Sequence, residues 1–160
     1  MKTMFVVGAA VVVFAGPLQA HHSVGVFDTA TPILVKGIIA EVHFANPHSE
    51  IFVDVVDAYG QRVRWAVENS GTLAMTRERG FDEKTLQVGD PIEVCGYAPK
   101  RPYATSEELA DRGIPIPGPW WGEWDRVITG RLLILKGGPA KDWSHYGPLD
   151  ACQALLGDNR

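Results

Sequence analysis

Cysteine is scarce in this chain. Only two of its 160 residues are cysteine, Cys95 and Cys152, and they do not form a Cys-x-x-Cys pair. The lack of that motif argues against thiol redox catalysis. An even pair in an exported chain favours a disulfide, so we expect a Cys95–Cys152 bridge, with two unpaired buried thiols as the alternative.

Familiar catalytic motifs are also missing. The sequence contains no G-x-S-x-G, no H-E-x-x-H, no phosphate-binding glycine loop and no dinucleotide fingerprint. The adjacent carboxylates Glu107 and Glu108 fit a solvated helix face better than an acid–base pair. An enzyme is therefore the class of protein that we expect least.

Positive charge is not in excess. The chain has 15 Lys and Arg against 19 Asp and Glu, a formal net charge of −4. Nucleic acids and anionic membrane surfaces require clustered Lys or Arg, so neither is an expected partner. An envelope protein or a small ligand is compatible with this composition, which leaves the oligomeric state open.

A long hydrophobic run is absent, and a short one stands at the N-terminus. Lys2 precedes an apolar stretch from Met4 to Gly16, which Pro17-Leu18-Gln19-Ala20 ends. A membrane span needs roughly 20 apolar residues, whereas this layout is typical of a secretory signal peptide. We expect a signal peptide over residues 1–20 and one domain over residues 21–160, periplasmic or secreted. Cleavage after Ala15 and a buried N-terminal helix are the alternatives.

The middle of the chain has the two-residue periodicity of β-strands. Strands are predicted within residues 32–47 and at 50–57, 62–69, 92–97 and 126–137. In the first of them the alternation begins at Gly37, with Ile38, Ala40, Val42 and Phe44 sharing one face. A short helix is expected before Gly80, with Ser70 as its N-cap. This order predicts a mainly β fold, a small five-stranded OB-like barrel with one short helix between strands three and four; an SH3-like barrel is the alternative.

A second short helix is predicted near the C-terminus. Pro148 can begin it and Gly157 can end it. Leu149, Cys152 and Leu156 are spaced by three and four residues, so they share one face. A bridge to Cys95 would pin this helix to the fourth strand.

A long Pro- and Trp-rich loop, about residues 99–125, joins the last two predicted strands. It carries three of the five tryptophans, Trp120, Trp121 and Trp124. Loops of this length in a compact domain are usually functional or mobile. The three indoles either cover the open end of the barrel, which we favour, or form a metal-free surface for a glycan, a peptide or a partner protein.

Histidines carry the main functional prediction. Cleavage after Ala20 makes His21 the first residue, and its α-amine and imidazole Nδ1 then chelate one metal ion. His22 or His48 would supply a third nitrogen, a set that suits copper and also zinc. The alternatives are a solvated terminus for the pair and a hydrogen bond to a backbone carbonyl for His48. For Glu68, capping of the helix is expected, ahead of metal ligation.

Several of these motifs occur together. They are Ala-His-His-Ser from Ala20, G-x-x-x-x-V-x-F-x-N-P-H from Gly37 to His48, F-V-D-V from Phe52, W-A-V-E from Trp65 and V-G-D-P-I-E-V before Cys95. In their order and spacing, over Ala20 to Tyr97, the chain resembles a family of small exported bacterial proteins of unknown function. The resemblance implies export and a small β-barrel, and the family's recurring histidines match His21, His22 and His48. The Trp-rich loop and the cysteine pair depart from it.

Overall fold

A computed structural model describes residues 27–100 and 126–158 of the chain. The strands are β1 (Phe27–His43), β2 (Glu50–Val56), β3 (Arg62–Glu68), β4 (Pro91–Pro99), β5 (Val127–Leu135) and β6 (Ala140–Asp142). The helices are α1 (Leu73–Glu78) and α2 (Leu149–Asp158). Neither of these two helices is long and apolar enough to cross a membrane.

Five strands close into a barrel. The order of the sheet is β3-β2-β1-β4-β5-β6. Strand β3 also pairs with β5 in parallel, and this pairing closes the first five strands of that order into the barrel. The long strand β1 pairs with β4 through its first half and with β2 through its second half. The predicted five-stranded OB-like barrel, with α1 between β3 and β4, is confirmed. Strand β6 was not predicted, because its three residues are all exposed and carry no apolar pattern.

The barrel interior is filled by the inward faces of all five strands. Its wholly buried aliphatic side chains include Ile51, Val53, Val67, Val94, Ile128 and Leu133. Phe81, which follows the turn at Gly80, and Trp143, which follows β6, meet edge to face with ring centroids 5.0 Å apart. The two rings extend the core beyond the strands, in the geometry that aromatic pairs prefer.

The predicted face of β1 is wrong at Ile38 and Ala40, the first two of its four residues. Ile39 is 1% exposed in the core, whereas Ile38 is 45% exposed. The register with β2 slips between Ile39 and Glu41, so that the strand has a bulge there. The extra residue returns Val42 and Phe44 to the core side, because a bulge shifts the alternation by one position.

The start of α1 also differs from the prediction. The N-cap is Thr72, whose hydroxyl accepts a hydrogen bond from the Met75 N–H at 3.4 Å. The hydroxyl of Ser70, the predicted cap, lies instead 2.8 Å from the Thr129 hydroxyl on β5. The predicted end is confirmed, since Gly80 follows the helix with φ +80°.

The disulfide and the C-terminal helix are confirmed. Cys95 on β4 and Cys152 on α2 are bonded, 57 residues apart in sequence, and both are fully buried. Leu156 on α2 packs in the same cluster with Phe27 and Tyr97, on the outer face of the barrel. The bridge therefore fixes a helix of ten residues, a length that is marginal in isolation. The helix runs one residue past Gly157, its predicted end.

Candidate functional site

The turn between β1 and β2 lies against the start of α1 and the end of β3. Asn46 precedes Pro47 through a cis peptide bond, and its side-chain oxygen accepts a hydrogen bond from the Leu73 N–H at 3.0 Å. The carbonyl of Ser49 accepts one from the Asn69 N–H at 2.8 Å. Two other segments of the chain, the start of α1 and the end of β3, therefore hold the backbone on both sides of His48.

The His48 ring is oriented by a backbone carbonyl. Its Nδ1 lies 2.8 Å from the carbonyl oxygen of Asn69. A carbonyl oxygen only accepts, so Nδ1 carries the hydrogen and the lone pair of the neutral ring is on Nε2. Imidazoles that bind metals usually donate their other nitrogen to a carbonyl in this way. The bond also satisfies the simpler prediction, that His48 only stabilises its turn.

The buried side chain of Asn69 holds in place the residue whose carbonyl contacts His48. Its buried amide nitrogen donates to the Thr76 hydroxyl at 3.1 Å and to the Trp143 carbonyl at 2.8 Å, while its amide oxygen accepts from the Gly71 N–H at 2.7 Å. With every group of the amide paired, this buried polar residue has a single well-defined position. The carbonyl that orients His48 is therefore fixed relative to α1 and the core.

Glu68 lies beside His48. Its Oε1 is 3.7 Å from His48 Nδ1, and the two side chains are only 13% and 16% exposed. Burial raises the pKa of the Glu68 carboxyl from its ordinary 4.5 to about 7, because removal from water disfavours the charged form. The predicted capping role is wrong, because the helix cap is Thr72 and the Leu73 N–H is bound by Asn46.

A second carboxyl, Glu50, stands directly opposite Glu68 across β2 and β3. Burial first, and then the charge of Glu68, raise its pKa to about 7, and His43 opposes that shift. His43 is the neighbour of Glu50 across β1 and β2. Like charges in such a pair destabilise a sheet, so this pairing lowers the stability of the barrel wall wherever both groups are ionised.

His43 is engaged in local contacts. Its Nε2 lies 2.5 Å from Oε1 of Glu41, and its ring meets the ring of Phe52 edge-on with centroids 5.3 Å apart. Phe52 is buried with Ala66 and Val127 in a small apolar cluster. In sequence, Glu50 and Glu68 alternate with the core residues Ile51 and Val67, so both carboxyls are on the outer face of the barrel that carries this cluster.

Only one of the predicted metal ligands is among the described residues. His48 is placed as above, whereas His21 and His22 lie outside the described ranges. Within residues 27–100 and 126–158, no group of three or more His, Cys, Asp or Glu side chains is close enough to hold a metal ion. Trp120, Trp121 and Trp124 also lie outside those ranges, so both interpretations of that loop stay predictions.

Two residues of the site were missed from the sequence, Glu50 and the positioning residue Asn69. A signal for Glu50 was present, because the hairpin of β2 and β3 turns symmetrically about Tyr59. Glu50 and Glu68 are equally far from Tyr59 along the chain, and a symmetrical hairpin pairs such residues. The partners of Asn69, in contrast, are up to 74 residues away, and no local pattern identifies them.

The fold and this site define a small, mainly β barrel protein with a partly buried histidine and two carboxyls at one end of its β2–β3 pair. The chain belongs to a family of unknown function, DUF6152, whose model matches residues 9–106. That match includes His21, His22, His48 and Glu68, and it ends before β5. No curated protein matches the chain.

Proposed function

We propose that this protein is exported and that it binds a copper or zinc ion through His21, His22 and His48. In this proposal, signal cleavage after Ala20 frees the amine of His21, which then chelates the metal together with its own imidazole. His48 supplies a further nitrogen from the barrel. The role is to hold or deliver the metal in the envelope or outside the cell.

The observation that carries the proposal is the hydrogen bond from His48 Nδ1 to the carbonyl of Asn69. It fixes the tautomer of the neutral ring, with the hydrogen on Nδ1, on a side chain that is 16% exposed and held by a buried network. A metal ion gains from a ligand that is already oriented, since no rotamer freedom is then lost on binding.

Chain length is compatible with this arrangement. Phe27 begins β1 beside the end of β4, Glu68 ends β3, and β5 lies between β4 and β3. The path from Phe27 to Glu68 over the barrel surface crosses from β1 to β4, to β5 and to β3, which is three strand spacings, and shifts by two residues along a strand. Its length is roughly 16 Å. The six residues from His21 to Phe27 span up to roughly 20 Å when extended. The terminus is therefore long enough to meet His48.

Export is supported by the disulfide. Bridges such as Cys95–Cys152 form and persist in oxidising compartments and are rare in the cytosol. The layout of residues 1–20 points the same way. Copper heads the divalent affinity order for nitrogen ligands, which makes Cu(II) the first ion to test, and Zn²⁺ the second.

The test uses the processed protein. N-terminal sequencing should read His-His-Ser-Val, and titration with Cu(II) should give one tight equivalent. One extra alanine before His21 should weaken binding sharply, because the chelate ring needs the free amine on that residue. His48→Ala should also weaken binding, whereas His145→Ala, at an exposed position in the loop before α2, should not.

The proposal is overturned if a His21→Ala, His22→Ala double variant binds Cu(II) as tightly as the parent protein. Equal losses from His48→Ala and His145→Ala would remove His48 from the site.

A further inference from the structure

We propose that the outer edge of β6, with the apolar groove between β6 and α2, is a docking site for an extended peptide segment of a partner protein. The segment forms backbone hydrogen bonds with β6, and it places one apolar side chain in the groove and one acidic side chain opposite Lys141. This surface uses no residue of the proposed metal site, so the two proposals stand or fall separately.

The position of the edge follows from the hydrogen bonds between β5 and β6. The Trp143 N–H donates to the Arg131 carbonyl at 3.0 Å, and the two antiparallel strands stay in register from there to Ala140. Hydrogen-bonded and non-hydrogen-bonded pairs alternate along antiparallel strands, so the backbone groups of Lys141 face β5 and those of Ala140 and Asp142 face the other side. Among residues 27–100 and 126–158, no strand pairs with that side of β6, and its three residues are exposed. Two N–H groups and two carbonyls are therefore placed to bind an added strand.

The groove lies on the side of β6 that faces α2. Ala140 is opposite Ile134 on β5, which packs with Leu132 and with Leu156 of α2 in the apolar cluster on the outer face of the barrel. The groove has a volume of about 290 Å³, and an apolar cavity of roughly 150 Å³ already holds a benzene-sized group. Its lining is formed by Leu132, Pro139, Ala140, Gln153, Leu156 and Gly157. It therefore has room for one large apolar side chain from a strand beside β6.

The strand edge and the groove together suit an extended peptide. Peptides that add a strand to a sheet gain affinity from main-chain hydrogen bonds and specificity from pockets for alternate side chains. Because side chains alternate between the two faces of a strand, the residue opposite Ala140 points to the side of the groove and the next residue, opposite Lys141, points away from it. Lys141 is exposed, so an acidic residue is favoured at that second position.

A second copy of this chain fits the edge less well. Two copies of β6 that pair about a two-fold axis through both Ala140 and Asp142 place Lys141 opposite Lys141. Like charges directly opposite one another destabilise a strand pair, and a short edge strand with a lysine is a common protection against self-association. The partner is therefore a different sequence, one that supplies the acidic residue.

The test uses synthetic peptides, blocked at both ends, as probes. Thr-Thr-Phe-Glu-Thr-Thr and its reverse present the apolar and acidic positions in the two possible strand directions. The controls are the same two peptides with Ala in place of Phe. Binding to the isotope-labelled processed protein is followed by chemical-shift changes and hydrogen exchange of its backbone amides.

In the free protein, the amides of Ala140 and Asp142 should exchange with solvent faster than those of Lys141 and Trp143, because the latter two face β5. One of the two phenylalanine peptides should slow the exchange of Ala140 and Asp142. That peptide should bind about 10-fold or more tightly than its alanine counterpart, because the phenylalanine side chain is buried in the groove.

Matched variants test the groove and the charge. Gln153→Trp should fill the groove and weaken the phenylalanine peptide about 10-fold. Ala154→Trp, at the neighbouring exposed position of α2, which does not line the groove, should leave the affinity unchanged. Lys141→Glu should weaken the peptide about 3- to 10-fold, and a peptide with Lys in place of Glu should bind this variant more tightly than the parent protein. A thermal unfolding scan checks that each variant is folded.

The inference is overturned if neither phenylalanine peptide binds more tightly than its alanine counterpart, or if Gln153→Trp and Ala154→Trp have equal effects. It is also overturned if the parent protein sediments as a dimer in which the amides of Ala140 and Asp142 are already protected, because a second copy then occupies the edge. Each of these outcomes leaves the proposed metal site standing.

Discussion

Glu50 and Glu68 lie directly opposite one another on β2 and β3, and the charge of Glu68 contributes to the raised pKa of Glu50. Two carboxyls whose pKa values are about 7 hold protons in the folded state that the unfolded chain releases near pH 4.5. Folding and proton binding are therefore linked at these two residues.

The metal-free protein should lose stability as the pH rises. The contribution of each raised carboxyl is fully present below pH 4.5 and is lost as the pH passes 7. For Glu68 the rise in pKa corresponds to about 3 kcal/mol of folding free energy. Asp54, whose pKa is lowered chiefly by its hydrogen bond with Arg64, changes only at lower pH and does not obscure the effect.

Chemical denaturation of the metal-free protein at intervals from pH 5 to pH 8 checks this prediction. Glu68→Gln should flatten the decline, because the neutral amide does not titrate. A free energy of unfolding that increases over the same range in the parent protein contradicts the raised pKa values.

Much of the barrel follows from local sequence pattern. The alternation in Arg62–Glu68 and the glycine turn at Gly60 predict a hairpin, since both signals are complete within about 20 residues. The pairing of Cys95 with Cys152 can be predicted because the sequence has only these two cysteines. These features need no knowledge of distant parts of the chain.

The features that could not be predicted depend on distant contacts. The bulge after Ile39 reverses which residues of β1 face the core, and the sequence pattern of the strand does not mark its position. By residue type Ser70 is the better N-cap, yet Thr72 is the cap, and the Ser70 hydroxyl lies against Thr129 on β5 instead. The same applies to the site, where the turn motif identifies His48 but the buried partners of Asn69 are up to 74 residues away along the chain.

Gly130 should not accept a side chain. A Cβ at this position would lie 2.7 Å from Trp143 Cδ1 and 2.7 Å from Val67 Cγ1, both in the buried core. Gly130→Ala should therefore destabilise the protein by about 1–3 kcal/mol through overpacking. Gly157→Ala in α2, where a Cβ meets nothing within 4 Å, should be neutral or stabilise by up to about 1 kcal/mol. Denaturant midpoints measure both, and a loss at Gly157 equal to that at Gly130 would contradict the steric explanation.

The disulfide should stabilise the fold strongly. Its loop of 57 residues corresponds to about 4 kcal/mol of lost chain entropy in the unfolded state, as an upper figure. A double variant, Cys95→Ala with Cys152→Ala, should unfold at much lower denaturant concentration. Because both cysteines are fully buried, reductant added to the folded parent protein should act only as fast as the protein opens. Rapid reduction under native conditions would contradict that burial.

Asn69→Ala should be among the most destabilising polar substitutions in the chain. The change removes the acceptor of the Gly71 N–H and both donors of the amide, to Thr76 and Trp143. The Trp143 carbonyl keeps a second donor, Arg79, at 2.9 Å, so the main cost is the buried N–H of Gly71. A buried donor without a partner costs about 1–3 kcal/mol, and the lost amide bonds add to that.

Asn46→Ala is the matched control for this substitution. It removes one exposed hydrogen bond, to the Leu73 N–H, and should cost about 1 kcal/mol or less. Equilibrium denaturation of the two variants under identical conditions gives the difference directly. If Asn69→Ala costs no more than Asn46→Ala, the buried network does not fix the carbonyl of residue 69, and the orientation of His48 must come from the turn itself.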